Sequence, residues 1–117
     1  MAYNTHNQNQ LELVKQYFDA WNNQDTSRLS SLVSDNIKLT DWNTTANGRK
    51  EFLAANENIF AENPEIKAGV VKLYQNQTQI IAQLKIQLTP NTDQLDVIDY
   101  FEIHNGLIVK IKAYRGF

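Results

Sequence analysis

The stretch that most restricts how this chain can fold is Asp96–Arg115, where two alternating runs of residues meet at Asn105-Gly106. Asn-Gly between such runs is a strong hairpin signal, because both residues tolerate the left-handed backbone of a tight turn. Side chains alternate faces along a strand. Val97, Asp99, Phe101 and Ile103 therefore share one face of the first strand, and Leu107, Val109, Ile111, Ala113 and Arg115 share one face of the second. Asp99 interrupts its apolar row. A carboxylate is costly to bury, so it either finds a donor or holds a proton. Two readings of Asp99 follow: a carboxyl tied to a nearby structural donor, or a functional acid.

The register of the hairpin bears on that choice. A two-residue loop pairs His104 with Leu107 and puts Asp99, Phe101 and Ile103 on the face of Lys110 and Lys112. A three-residue loop, with Gly106 left-handed at a bulge, pairs Ile103 with Leu107 and Asp99 with Ile111. The second register joins the two apolar rows and is the one expected, because hydrophobic matching should outweigh turn preference. It sets Arg115 opposite Leu95, roughly 13 Å along the strand from Asp99.

Length and composition set further bounds. A chain of 117 residues with 42% hydrophobic residues suits one domain, 1–117, with one modest core. No apolar run approaches the ~20 residues of a membrane span, so no membrane partner is expected. The first ten residues lack the apolar core of a signal peptide, and a cytoplasmic location is the default expectation. The net charge of −2, with scattered charges, argues against nucleic acid. There is no cysteine, and the two histidines, His6 and His104, lie far apart. With no metal-ligand spacing and no Gly-rich phosphate loop, no cofactor is expected.

Read in order, residues before about Gln8 look like a polar, mobile arm. A helix follows to Asn23, with Leu11, Val14, Phe18 and Trp21 in one stripe. Tyr17 lies about 40° beyond that stripe. Its hydroxyl either meets water at a boundary or reaches into a cavity. Asp25 looks like the N-cap of a second helix over 26–34, ended by Ser34-Asp35-Asn36. A strand over Ile37–Trp42 puts Asp41 in line with Ile37 and Leu39. At a strand end, such an Asp is either a turn former or a second functional acid. After a loop over 43–48, a third helix spans about Arg49 to Glu62, with Phe52, Leu53, Ile59 and Phe60 inward, and Asn63-Pro64 stops it. Strands over 68–75 and 78–88 precede the hairpin. In the second of them Ile80, Ala82, Leu84, Ile86 and Leu88 alternate with a mostly polar set. Three helices laid on one face of a strongly bent antiparallel sheet make an α+β domain with room for a pocket. Phe18, Leu39, Phe60, Leu84, Ile86, Val97, Phe101, Val109 and Ile111 are its expected lining, around Asp99.

Leu13-Val-Lys-Gln-Tyr-Phe-Asp-Ala-Trp-Asn-Asn-Gln-Asp25, Leu39-Thr-Asp-Trp42, Ile98-Asp-Tyr-Phe101, Asn105-Gly106 and Ala113-Tyr-Arg-Gly116 together resemble the nuclear transport factor 2-like superfamily. Its cone-shaped fold includes SnoaL-type polyketide cyclases and ketosteroid isomerases. The resemblance covers nearly the whole chain. It implies three N-terminal helices on a strongly curved antiparallel sheet, and a homodimer formed through the outer sheet face, to which Ile81 among Gln79, Gln83 and Gln87 would contribute. The match to ketosteroid isomerase places Tyr17 on the oxyanion-hole tyrosine, Asp41 on the general base and Asp99 on an acid kept protonated as the second donor. Trp42 stands where those isomerases carry proline, and Arg115 where they carry an apolar aromatic residue. The implied function is proton transfer next to a carbonyl in a small apolar ligand. Arg115 extends the expected ligands to anionic ones. A SnoaL-type cyclase and a binding or dimerisation module without turnover remain alternatives.

Overall fold

The structure, a computed structural model, describes the backbone of residues 2–116 and the side chains of residues 8–116. Helix α1 (Ala2–Asn22) is followed by α2 (Thr26–Leu32), β1 (Val33–Thr40), β2 (Thr45–Asn47), α3 (Arg49–Glu62), β3 (Lys67–Asn76), β4 (Gln79–Gln87), β5 (Leu95–His104) and β6 (Leu107–Arg115). The segment read as an arm before Gln8 continues α1 instead. It contains no Gly or Pro, and extending a helix already nucleated by a packed segment costs little. Asp25 caps α2, its carboxylate accepting from the Arg28 N–H at 3.1 Å. Ser34-Asp35-Asn36, read as a helix stop, lies within β1. There the pairing with β6 slips between Val33 and Lys38, so local turn chemistry appears as an irregularity inside the strand.

Three helices pack on one curled, unclosed sheet of six strands in the order β2-β1-β6-β5-β4-β3. The sheet is mixed, which corrects the expected all-antiparallel arrangement: β1 and β6 run parallel, while the other pairs are antiparallel. No hairpin links β1 to β6, so no turn dictates their relative direction. The helices are held to this sheet by polar ties at their ends. The Asn22 amide exchanges two hydrogen bonds with the Ala68 backbone, at 2.9 and 2.7 Å, and so extends the edge strand β3 into α1. Arg49, the first residue of α3, donates to the carbonyls of Ser30 (3.1 Å) and Val33 (2.7 Å) and pairs with Asp35.

The closing hairpin has neither register described above. Asn105 (φ 51°) and Gly106 (φ 77°) form a two-residue turn that pairs His104 with Leu107. Pairing then shifts: Ile103 faces Ile108, but Glu102 faces Lys110. Val109 is the extra residue, a bulge just beyond the turn. From there Phe101 pairs with Ile111, Asp99 with Ala113 and Val97 with Arg115. The apolar rows are joined, as hydrophobic matching requires, but the bulge lies within the strand rather than in the turn.

Phe101 and Phe52 are fully buried. Tyr17, Phe18 and Phe101 form a three-ring cluster with edge-on contacts, centroids 5.3, 5.3 and 5.6 Å apart. Phe101→Ala should therefore cost roughly 3–5 kcal/mol in equilibrium unfolding. A cost under about 1 kcal/mol would show that this cluster does not hold α1 on the sheet.

Candidate functional site

The registers stack the concave face of the sheet into rows. The innermost is Leu39–Ile111–Phe101–Ile80, across β1, β6, β5 and β4. Two residues along is a row of different character: Ala113–Asp99–Ala82. Asp41, the first residue after β1, continues the β1–β6 register toward Ala113. Two acids thus flank one alanine, with backbones about two strand spacings, ~10 Å, apart. Alanines on both sides of Asp99 leave space that larger side chains would fill. The third row is Arg115–Val97–Leu84.

Above these rows lies a cavity of about 530 Å³ between sheet and helices. Tyr17, Phe18 and Trp21 of α1 line it from one side, and Ala55, Asn56 and Ile59 of α3 from another. Leu39, Leu84, Ile86, Val97 and Ile111 form much of the sheet wall. Asp41, Asp99 and Arg115 also line it. Three residues expected to line the cavity do not. Phe101 lies behind Tyr17 and Phe18, and Phe60 packs edge-on against Trp21 at 5.2 Å, each one layer from the opening. Val109 is taken out of the row by its bulge.

Tyr17 is buried, 4% exposed, rather than placed at a boundary in water. Loss of hydration, then the nearby charge of Asp99, holds its phenol well above the ordinary range, so it remains a hydrogen-bond donor. The Asp99 carboxyl is half-buried and faces the cavity. Desolvation, and then the charge of Asp41, pushes it up to about 7. No hydrogen bond contributes to either shift. Tyr17 and Asp99 therefore present polar groups toward one volume with no structural partner among the described residues to account for them. Asp41 differs. Its Oδ1 accepts from the backbone N–H groups of Asn43 and Thr44, both at 2.7 Å, while its own N–H donates to the Thr44 carbonyl at 2.9 Å. The turn fixes the carboxylate at the cavity edge and occupies one of its two oxygens.

Asn56 escaped the sequence reading. It is 2% exposed, accepts from Trp21 Nε1 at 2.9 Å and donates to the Phe52 carbonyl at 3.0 Å. The signal was present: Asn56 lies four residues from both Phe52 and Phe60, a polar residue inside an apolar stripe. Ala82 and Ala113 carried no chemical signal of their own and mattered only once the register was known. Among the described residues, no group of three or more His, Asp or Glu side chains could hold a metal ion. No helix among them is long and apolar enough to cross a membrane.

The model for the SnoaL-like domain family matches residues 14–111, and the chain belongs to that family. No curated protein sequence matches it. Solved structures share the fold at low identity. A protein from Kribbella flavida DSM 17836, provisionally named a ketosteroid isomerase, aligns with a TM-score of 0.82 at 17% identity, covering 94% of this chain and 79% of its own. A provisionally named polyketide cyclase from Sinorhizobium meliloti aligns at 0.80 and 18%, covering 87% and 93%. A protein of ketosteroid isomerase-like fold from Catenulispora acidiphila DSM 44928, in complex with trimethylamine, aligns at 0.79 and 15%, covering 88% and 84%. These likenesses show the nuclear transport factor 2-like cone fold.

The raised Asp99 carboxyl has a measurable consequence for stability. The folded chain keeps this proton at pH values where the unfolded chain has lost it. Stability should therefore fall as pH rises from about 4 through about 7, then level off. Asp99→Asn removes that linkage. Across this window wild type should lose stability relative to the variant, as read from urea midpoints. A constant difference between the two would show an ordinary carboxyl.

Proposed function

We propose that this member of the SnoaL-like family is a cofactor-independent isomerase that moves a proton next to the carbonyl of a small molecule. The observation that supports this most is that Tyr17 and Asp99 both face one apolar-walled cavity without structural hydrogen bonds, with Asp41 held at its edge. In a β,γ-unsaturated ketone, Asp41 would break the C–H bond at the carbon beside the carbonyl and take the proton. The electron pair would pass onto the carbonyl oxygen as a dienolate, receiving hydrogen bonds from Tyr17 Oη and neutral Asp99. Asp41 would return the proton at the γ-carbon, leaving the conjugated isomer. Donors already aimed at the developing charge need no reorganisation during the step. The convex face carries exposed Tyr74, Ile98 and Tyr114, which supports pairing of two copies through it.

A second reading is a pocket that binds without turnover. The engagement of Asp41 Oδ1 by its own turn favours it, since such bonds suffice to explain an acid at that position.

The two readings separate on a simple unconjugated cyclic enone, followed by ultraviolet absorbance and by deuterium exchange in NMR. Asp41→Asn should lose about 10²–10⁴-fold in rate, because asparagine cannot act as a base. Tyr17→Phe should lose about 10²–10³-fold, and Asp99→Asn less, because the amide still donates. The wild-type rate should fall as pH rises through about 7, where Asp99 loses its proton, and this limb should vanish in Asp99→Asn. Equal rates for wild type and Asp41→Asn would leave the binding reading in place.

A further inference from the structure

We infer that the ligand of this cavity carries a carboxylate and that Arg115 binds it, so that the substrate class is a small keto acid with an apolar body. The inference rests on the isomerase reading for the ketone and on Arg115 alone for the acid. Arg115 is the one cation among the described residues that line the cavity. It pairs with Val97, two residues from Asp99 on the neighbouring strand, and so projects from the same face one row away. That puts it diagonal to Asp99, with backbones roughly 7–8 Å apart, closer than the separation expected from the sequence.

The other two arginines are committed: Arg28 pairs with Asp19 at 2.6 Å, and Arg49 with Asp35 and two carbonyls. Arg115 has no acidic partner among the described residues. The acid nearest along the chain on the adjoining strand, Asp96, is taken by Lys85. Nor is Arg115 hydrogen-bonded to Asp99, whose raised carboxyl is accounted for by burial and by Asp41. A guanidinium on a cavity wall, near two donors suited to a carbonyl oxygen and bonded to neither, is placed to grip a second, anionic group on the same molecule. Its planar fork matches a carboxylate with two parallel hydrogen bonds.

The field of the cavity sharpens the inference. Asp41 and Glu62 also line it, so its fixed charge does not by itself attract anions. A carboxylate must be held by contact with Arg115, and without that residue only acids remain. Anion preference should therefore depend on this single side chain.

The test uses 3-benzoylpropionate and its methyl ester, which share the ketone and its exchangeable neighbouring protons but differ in charge. Binding to the full chain is measured by calorimetry, and exchange by NMR. Wild type should bind the acid at least about tenfold more tightly than the ester. Arg115→Leu should lose or reverse that preference, while Arg115→Lys, which keeps the charge without the fork, should retain part of it. Should the leucine variant fail to fold, the lysine variant decides: an undiminished preference overturns the inference. Equal binding of acid and ester by wild type, binding of neither, or a preference that survives in Arg115→Leu also overturns it. An Arg115-dependent preference with no proton exchange on either probe would uphold the carboxylate site and remove the isomerase reading instead.

Discussion

One residue of excess in β6 decides which side chains face the helices. The Asn105-Gly106 turn by itself pairs His104 with Leu107, a register that, carried along the hairpin, would set Asp99 and Phe101 beside Lys110 and Lys112. Two lysines would then lie beneath the helices, with Asp99 the one acid paired against them. The bulge at Val109 shifts the pairing by one residue and puts Ile111, Ala113 and Arg115 on the inner face instead. A bulge leaves one residue outside the ladder and increases the local bend. That is a small cost beside burying two ammonium groups. The composition of the site follows: an alanine between two acids, and an arginine one row away.

This also explains what could be read from the sequence and what could not. Alternation along Gln79–Gln87 and Leu95–His104 identified the buried faces, and the 3.6-residue stripe identified α3, because each signal is local. Asp99 was visible as an acid in an apolar row for the same reason. The bulge was expected in the turn because both placements join the same rows, and the sequence signal at Asn105-Gly106 does not separate them. The parallel pairing of β1 with β6 joins segments about 70 residues apart and has no local signature. Lys38 and Lys112 lie on the convex side, so alternation alone suits either strand direction. Tyr17 lay outside the helical stripe by angle, yet Phe18 and Phe101 enclose it, because the curled sheet covers a wider arc of α1 than a flat one would. Phe60 and Phe101 lie one layer behind the cavity lining, a difference that a pattern of inward residues does not carry, because it does not distinguish the first layer from the second.

The two acids in the central row have opposite surroundings. Asp41 receives two backbone N–H groups from its own turn, whereas no hydrogen bond enters the causes of the Asp99 shift, which are burial and the charge of Asp41. Desolvation beside a like charge favours the neutral form of Asp99. In the proposed step this arrangement also sustains itself. When Asp41 takes a proton, the negative charge that adds to the effect of burial on Asp99 disappears from one side, but the enolate oxygen places a new negative charge beside Asp99 from the other. Asp99 faces an anion before and after the transfer, so its proton stays in place to donate. An arginine bonded to Asp99 would break this balance by stabilising the carboxylate. The position of Arg115, on the same face one row away and not hydrogen-bonded to Asp99, lets a cation share the cavity without removing that donor.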